Sequence, residues 1–353
     1  MVNKRLIDFL CEETAWEDLG NEKLLHELPE FGREVGAAIN GGRLIECTVE
    51  LSGMLENMDL YKASLLSNFI GFACEKEGDT SAGRGIIKLF SRSCAKVYEM
   101  FKSLEEDGEC RLPDDMRAVY EENKDWVRAY LGFNILCVSA MAFLTRDASL
   151  RELLLEDEIS NQIQYLTEET PESPYFKSIG YVDRMRSTCS KQKLVVLFPA
   201  KKTGFFAVAN DLSNCFHLLF LLEEQICKRL GAEYGMDKFH ASDSLIRLAH
   251  GDYPDDCWDE SYNTYFMECN YSAARHEKFH QENLMSLIWG EMPPEDIPAI
   301  DGRGVIVLLE TGLHRGFSAS FLAVPHEALN PYVEIERELT AEEYDGWIKR
   351  IRE

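Results

Sequence analysis

The sequence predicts an α+β protein, with an all-helical N-terminal domain (residues 1–170) and a mixed α+β domain (residues 175–353). In the first half, apolar residues recur every three or four positions, the period of a helix with one buried face. In the second half, short continuous apolar runs bounded by Gly and Pro indicate buried strands. These strands and helices do not alternate strictly, which favours α+β over a doubly wound sheet. Residues 167–174, TEETPESP, read as the linker.

Three long helices are predicted in the first half, at residues 59–76, 86–104 and 126–144. The third is apolar almost all round, so we expect it to be central and covered on both sides. Asp147 is placed to cap a short helix that follows. One helix–turn–helix stretch resembles a repeat unit, but it has no second copy at a fixed period. A bundle and a helical-repeat-like array both remain open.

The second half begins with a predicted hairpin, residues 194–198 pairing with residues 205–209. A helix follows, capped by Asp211 or Ser213 and stopped by Gly231. Further strands are expected at residues 262–270, 305–309, 317–323 and 332–337. Thr340 and Glu343 have capping-box spacing, which predicts that the final helix begins there.

Composition limits the classes of partner. The chain has 62 Asp and Glu against 37 Lys and Arg, a net charge of −25 spread over both halves. Such a field repels phosphate backbones and anionic membranes, so we expect neither nucleic-acid nor membrane binding. The 11 Cys form no CxxC pair, which favours a reducing compartment. With no convincing signal peptide and no apolar run approaching a membrane span, the sequence predicts a cytoplasmic protein.

The most specific segment is residues 287–302, LIWGEMPPEDIPAIDG. Its three prolines exclude ordinary helix or central strand and predict a stiff, extended connector. The segment resembles the motif Trp-Gly-Glu-Gly followed by Pro-Ala-Asp-Ile-Pro of an uncharacterised bacterial family. This chain departs from it at Met292, where the family has Gly, and at Glu295, where it has Ala. The resemblance extends over residues 199–222 and the strand after Asp301, and it implies a fold but no activity.

The same segment supplies the predicted partner or ligand surface, a rim of carboxylates beside a tryptophan: Trp289, Glu291, Glu295, Asp296 and Asp301. The alternative is purely structural. In that case Trp289 fills a gap in the core, Gly290 permits a tight backbone, and the Asp301-Gly302 pair turns the chain into the next strand.

His276, Glu277 and His280 have the spacing of a zinc-binding helix with a general base. Lys278 occupies a position that such helices bury, and burial of an unpaired ammonium is costly. Glu291 and Glu295 are available as the third ligand, but both lie in or beside the proline-stiffened connector. The chain also lacks a nucleophile elbow, a phosphate-binding loop and an RNA-recognition motif. We therefore predict no catalytic residue, metal or cofactor.

The sequence as a whole predicts a non-enzymatic, acidic interaction protein that binds a basic protein partner, for example one of the immunity or antitoxin-like kind. Complementary charge would speed association and exclude wrong partners. Two alternatives stay open. One is a zinc-dependent hydrolase using His276, Glu277 and His280. The other is a small-molecule binding domain with a pocket near Trp289.

Overall fold

The computed structural model describes residues 3–106, 109–113, 115–168, 177–231, 239–263, 267–269, 288–309 and 316–352. It has the α+β architecture that the sequence predicts. Contacts divide the chain into two compact units, a helical unit (Met1–Arg186) and a sheet unit (Ser187–Glu353).

The helical unit holds ten α-helices in its described part. They are α1 (Lys4–Cys11), α2 (Pro29–Asn40), α3 (Leu44–Ser52), α4 (Leu60–Glu77), α5 (Gly83–Ser103), α6 (Arg117–Glu122), α7 (Lys124–Leu144), α8 (Ala148–Glu152), α9 (Asp157–Glu168) and α10 (Ile179–Arg186). A two-stranded ladder, β1 (Glu105–Glu106) and β2 (Glu109–Cys110), follows α5. The Asp147 side chain accepts a hydrogen bond from Ser149 N and caps α8, as predicted.

Helix α7 is the centre of this unit. It packs against α4 on one side and α5 on the other. Small residues allow α4 and α7 to approach closely: a Cβ added at Gly132 would lie 2.6 Å from the Ser64 Cβ. On the other side, the Phe90 ring stacks on Phe133 at 5.8 Å. The expectation of a central helix covered on both sides is confirmed.

One sequence-based statement about α7 is wrong. By length and hydropathy this helix would suffice to cross a bilayer, although no run of that length was expected. In the structure, 72% of its most apolar window is buried inside the protein. A core helix that contacts neighbours on two sides has the same composition as a membrane span, because both are surrounded by apolar groups.

The sheet unit contains two hairpin strands, β3 (Gln192–Phe198) and β4 (Thr203–Asn210), and then α11 (Cys215–Leu230) and α12 (Asp243–Ala249). Six further strands and a last helix follow in its described part. They are β5 (Ser261–Asn263), β6 (Met267–Cys269), β7 (Ala299–Ile300), β8 (Arg303–Leu309), β9 (Gly316–Ser318), β10 (Tyr332–Glu338) and α13 (Ala341–Arg352).

The main sheet has the order β10-β4-β3-β8-β6, and β7 also pairs with β8. Only the β3–β8 pair among these is parallel. Side chains alternate between two cores. Leu194 and Val196 face the core that includes α11, whereas Val195 and Leu197 face the core that includes α13. The strands β5 and β9 form a separate ladder.

Several sequence-based element predictions are confirmed and others need correction. The β3–β4 hairpin is present, and Thr340 and Glu343 exchange both hydrogen bonds of a capping box. The stretch 262–270 is not one strand, because β5 and β6 pair with different partners. The strand expected at residues 317–323 ends at Ser318 and continues as a 3-10 turn, Ala319–Phe321.

The N-cap of α11 is also corrected. Asn214 caps this helix, since its side chain accepts a hydrogen bond from His217 N at 2.9 Å. Asp211 has a φ of 53°, in the left-handed region, whereas an N-cap residue needs extended backbone. Asn214 has that extended conformation.

Candidate functional site

The Trp-Gly-Glu segment holds the start of α11. Cys215 N donates to the Met292 carbonyl at 2.9 Å, and Phe216 N donates to the Gly290 carbonyl at 2.8 Å. The first N–H groups of a helix have no partner inside the helix, so an outside acceptor must supply one. Together with Asn214, this segment satisfies them. Its clearest role in the structure is therefore to cap a buried helix.

Gly290 allows this close approach. A Cβ at position 290 would lie 2.3 Å from the Phe216 ring, so only glycine fits. The tight backbone proposed at Gly290 is confirmed. The expectation that Trp289 fills a gap in the core is wrong, because this residue is 58% exposed. The Phe216 ring packs against the backbone here, and the indole is directed to the surface.

The predicted carboxylates are all exposed. Glu291, Glu295 and Asp296 share the connector. Asp301 lies at the tip of the β7–β8 hairpin, where its φ of 51° and the 73° of Gly302 give the left-handed pair of a tight hairpin turn. That turn is as predicted. The Asp301 carboxylate lies 3.1 Å from the Arg350 guanidinium. A partner or ligand surface at these residues remains a prediction.

The zinc motif, His276, Glu277 and His280, lies outside the described residues. Within the part of the chain that the structure describes, no three His, Cys, Asp or Glu side chains gather to hold a metal ion. The zinc-hydrolase alternative remains a hypothesis based on spacing alone.

Two adjacent buried carboxylates on α11, Glu223 and Glu224, form a polar cluster in the sheet unit. The Tyr262 hydroxyl donates to Glu223 at 2.7 Å. Glu224 binds Lys228 Nζ at 2.6 Å and His250 Nε2 at 2.8 Å. Burial raises the pKa of the Glu224 carboxyl, but the bonds from His250 and Lys228 outweigh this, and the pKa is lowered overall. Burial, with the Glu223 charge beside it, raises the pKa of Tyr262.

The hydrogen bonds of this cluster connect separate elements of the sheet unit. It joins α11 to β5 and to the end of α12, where His250 follows Ala249. A buried carboxylate orients the His250 ring, as in catalytic pairs. In the described residues no hydroxyl or thiol binds that imidazole, and the contact of His250 with Glu224 joins α12 to α11.

The helical unit contains an open groove with a volume of about 760 Å³. Helices α4 and α7 form its floor, and α2 with the loop before it forms one wall. Its lining is mostly apolar: Leu25, Phe31, Val35, Ile39, Leu65, Phe69, Phe72, Ile135 and Val138, with Glu22, Lys23, His26, Gly32, Asn68 and Asn134 among them. Volumes of this size are typical of binding sites.

Three large apolar side chains in the groove face solvent. Phe72 is 57% exposed, Val138 is 51% exposed and Ile39 is 44% exposed. They come from three different helices and line a single groove, so they form a continuous exposed patch rather than scattered residues. Beneath them the Phe31 ring meets Phe69 edge-on at 5.8 Å, which anchors the α2 wall to the floor.

The wall is acidic. Residues 16–40 contain six Asp and Glu against two Lys and Arg. One of the two cations, Arg33, is already paired with Glu30 at 2.9 Å. An occupant with positive charge along this edge would therefore be attracted.

Sequence reasoning did not find this groove. The helix predicted at residues 126–144 was expected to be central and covered on both sides, which leaves no place for an exposed Val138. The sequence shows that Phe72 and Val138 are apolar, but it does not show that α2 leaves them uncovered. This groove is the candidate functional site.

Comparisons with known proteins supply no assignment for this site. A scan of family models, a search of curated proteins and a search of solved structures each found no match to this chain.

Proposed function

We propose that this protein acts without catalysis, by binding a basic protein partner, and that the groove of the helical unit is a principal contact. The observation that carries the proposal is the exposure of Phe72, Val138 and Ile39 in one groove. Exposed apolar patches on a soluble fold mark interaction surfaces, and aromatic side chains contribute strongly to binding.

Charge supports the choice of partner. The chain carries a net charge of −25, and the segment beside the groove, residues 16–40, has six Asp and Glu against two Lys and Arg. Such a field raises the association rate of a basic protein and repels acidic ones. A protein that masks a basic toxin would have this chemistry, and so would other regulators of basic proteins.

The test is co-purification from the native cell with the full chain as bait, at low and at high salt. We expect a basic protein to be retained at low salt and released at high salt. The double variant Phe72→Ala and Val138→Ala should retain at least about tenfold less of it, a loss equivalent to about 1.4 kcal/mol.

The control is a second double variant, Ile45→Ala and Val49→Ala. Both side chains are exposed and apolar, and they lie on α3 outside the groove. Retention should be unchanged. Equal loss in both double variants would contradict a specific role for the groove. Stoichiometric zinc in the purified chain that disappears in His280→Ala would favour the hydrolase instead.

A further inference from the structure

Three helices supply most of the groove lining and the loop before α2 supplies the rest, and this restricts what can occupy the groove. Its lining residues on α2, α4 and α7 belong to helical turns. Their backbone N–H and C=O groups are bonded along the helix axes. In the described part of the helical unit, the β1–β2 ladder is the only pair of strands, and neither strand lines the groove. The groove therefore offers no sheet edge to an incoming chain.

The backbone of an extended segment would find few hydrogen-bond partners in the groove. Each of its residues brings a backbone donor and acceptor that need partners once water is excluded. The polar side chains at the groove are few, and one of them, Asn134, already accepts a hydrogen bond from Ser178 N at 3.1 Å. A helix satisfies its own backbone and needs only apolar contacts from the walls.

The packing of α7 indicates the same occupant. Helices α4 and α5 cover two of its sides. The turn that carries Asn134, Ile135 and Val138 faces the groove. On a helix buried elsewhere, a half-exposed Val138 marks a place where another helix would complete the bundle.

We infer that the groove binds an amphipathic α-helix of the partner; this inference rests on the proposed function. The apolar stripe of that helix, at i, i+4 and i+7, lies on Phe72 and Val138 and against Ile39. Its Lys and Arg residues lie towards residues 16–40, which carry six Asp and Glu against two Lys and Arg.

The probe is a synthetic peptide of about 18 residues, which spans about 27 Å as a helix. It carries Leu at helical spacing and Lys or Arg elsewhere. A second peptide has the same composition, with two central residues of D configuration that break the helix. Fluorescence anisotropy against the full chain measures both affinities. We expect the helical peptide to bind at least about tenfold more tightly.

Two glycines of α2 give a matched pair of variants. A side chain at Gly32 or at Gly36 would meet nothing within 4 Å, so both positions accept a larger residue. Gly32 lines the groove and Gly36 does not. Gly32→Leu should fill the groove and weaken the helical peptide at least about tenfold. Gly36→Leu should leave its affinity unchanged. Far-UV circular dichroism checks the fold of both, and Phe72→Ala gives a second loss-of-contact variant.

The outcomes separate the inference from the function on which it rests. If both peptides bind equally and Gly32→Leu weakens both, the groove binds extended segments and the helix inference is overturned. If Gly32→Leu and Phe72→Ala leave the affinity of the helical peptide unchanged, the peptide binds elsewhere through charge. That result would overturn the inference and the role of the groove together.

Discussion

At the scale of single residues, the Trp-Gly-Glu segment shows what a sequence can and cannot reveal. Three prolines predicted a stiff, extended connector; a connector is there, but its middle, Pro294–Asp296, is a 3-10 turn rather than extended backbone. That the Gly290 and Met292 carbonyls would receive N–H groups from α11 was not predictable, because donor and acceptor lie far apart in the chain. Nor does an isolated Trp residue tell whether its indole points inwards. In the structure the Phe216 ring occupies the space against Gly290, and the neighbouring Trp289 is exposed.

Gly290→Ala should destabilise the sheet unit. The new methyl group would overlap the Phe216 ring, and overpacking of this kind costs about 1–3 kcal/mol. The matched control is Gly346→Ala on α13, where an added Cβ meets nothing within 4 Å. There we expect no loss, or a gain of about 0.5–1 kcal/mol from helix propensity. Urea unfolding followed by fluorescence measures both, and similar losses in the two variants would contradict the steric argument.

Glu224 should make stability depend on pH. Its pKa in the folded protein lies below the ordinary value of 4.5. It therefore adds stability that is complete above pH 4.5 and is lost as the pH falls through the folded value. Glu224→Gln should cost about 1.5–3 kcal/mol at pH 7, because charge-assisted bonds to Lys228 and His250 are lost.

The measurement is the free energy of unfolding at pH 7 and at pH 4. The difference between the two should be smaller in Glu224→Gln than in the unmodified chain. Glu334→Gln is the control, since Glu334 is an exposed strand residue 3.9 Å from Arg229. A Glu224→Gln variant with the full pH dependence would show that the acid response arises elsewhere.

At the scale of elements, the helical period identified α4, α5 and α7, and the capping box marked the start of α13. The groove escaped because periodicity tells which face of a helix is apolar and not whether a neighbour covers it. Phe72 and Val138 have the same sequence signature as core residues. The strands predicted at residues 262–270 and 317–323 were too long for a similar reason. Apolar content does not show where a strand ends or where its pairing partner changes.

Close packing of α4 against α7 depends on small residues, and a substitution at Gly132 tests this dependence. Gly132→Ala should cost about 1–3 kcal/mol, since its Cβ would lie 2.6 Å from Ser64. Gly36→Ala on α2, in open space, should instead stabilise by about 0.4–1 kcal/mol. Thermal unfolding by circular dichroism compares the two. If Gly132→Ala is neutral, the two helices have room to separate and the close packing is not essential.

At the scale of the whole molecule, composition placed a linker before residue 175, but the contacts divide after Arg186. Helix α10 follows the linker-like stretch and still packs on α7 and α9. Its buried residues Ile179, Val182 and Met185 belong to the helical unit. Proline and acidic residues indicate exposed backbone, which occurs within a compact unit as well as between two.

A fragment of residues 1–186 should therefore be more stable than a fragment of residues 1–170. The shorter piece loses three buried side chains, each worth about 1.5–3 kcal/mol. Thermal melts and limited proteolysis of the two fragments provide the comparison. Equal melting temperatures would mean that α10 contributes nothing to the helical unit.

The packing of α4 against α7 has a consequence for synthesis on the ribosome. Cys74 on α4 meets Ala142 on α7, 68 positions later. While those intervening positions are being translated, the apolar faces of α4 and α5 that α7 will cover are still exposed. Nascent chains in this window should recruit holding chaperones, and the dependence should end abruptly once α7 leaves the exit tunnel.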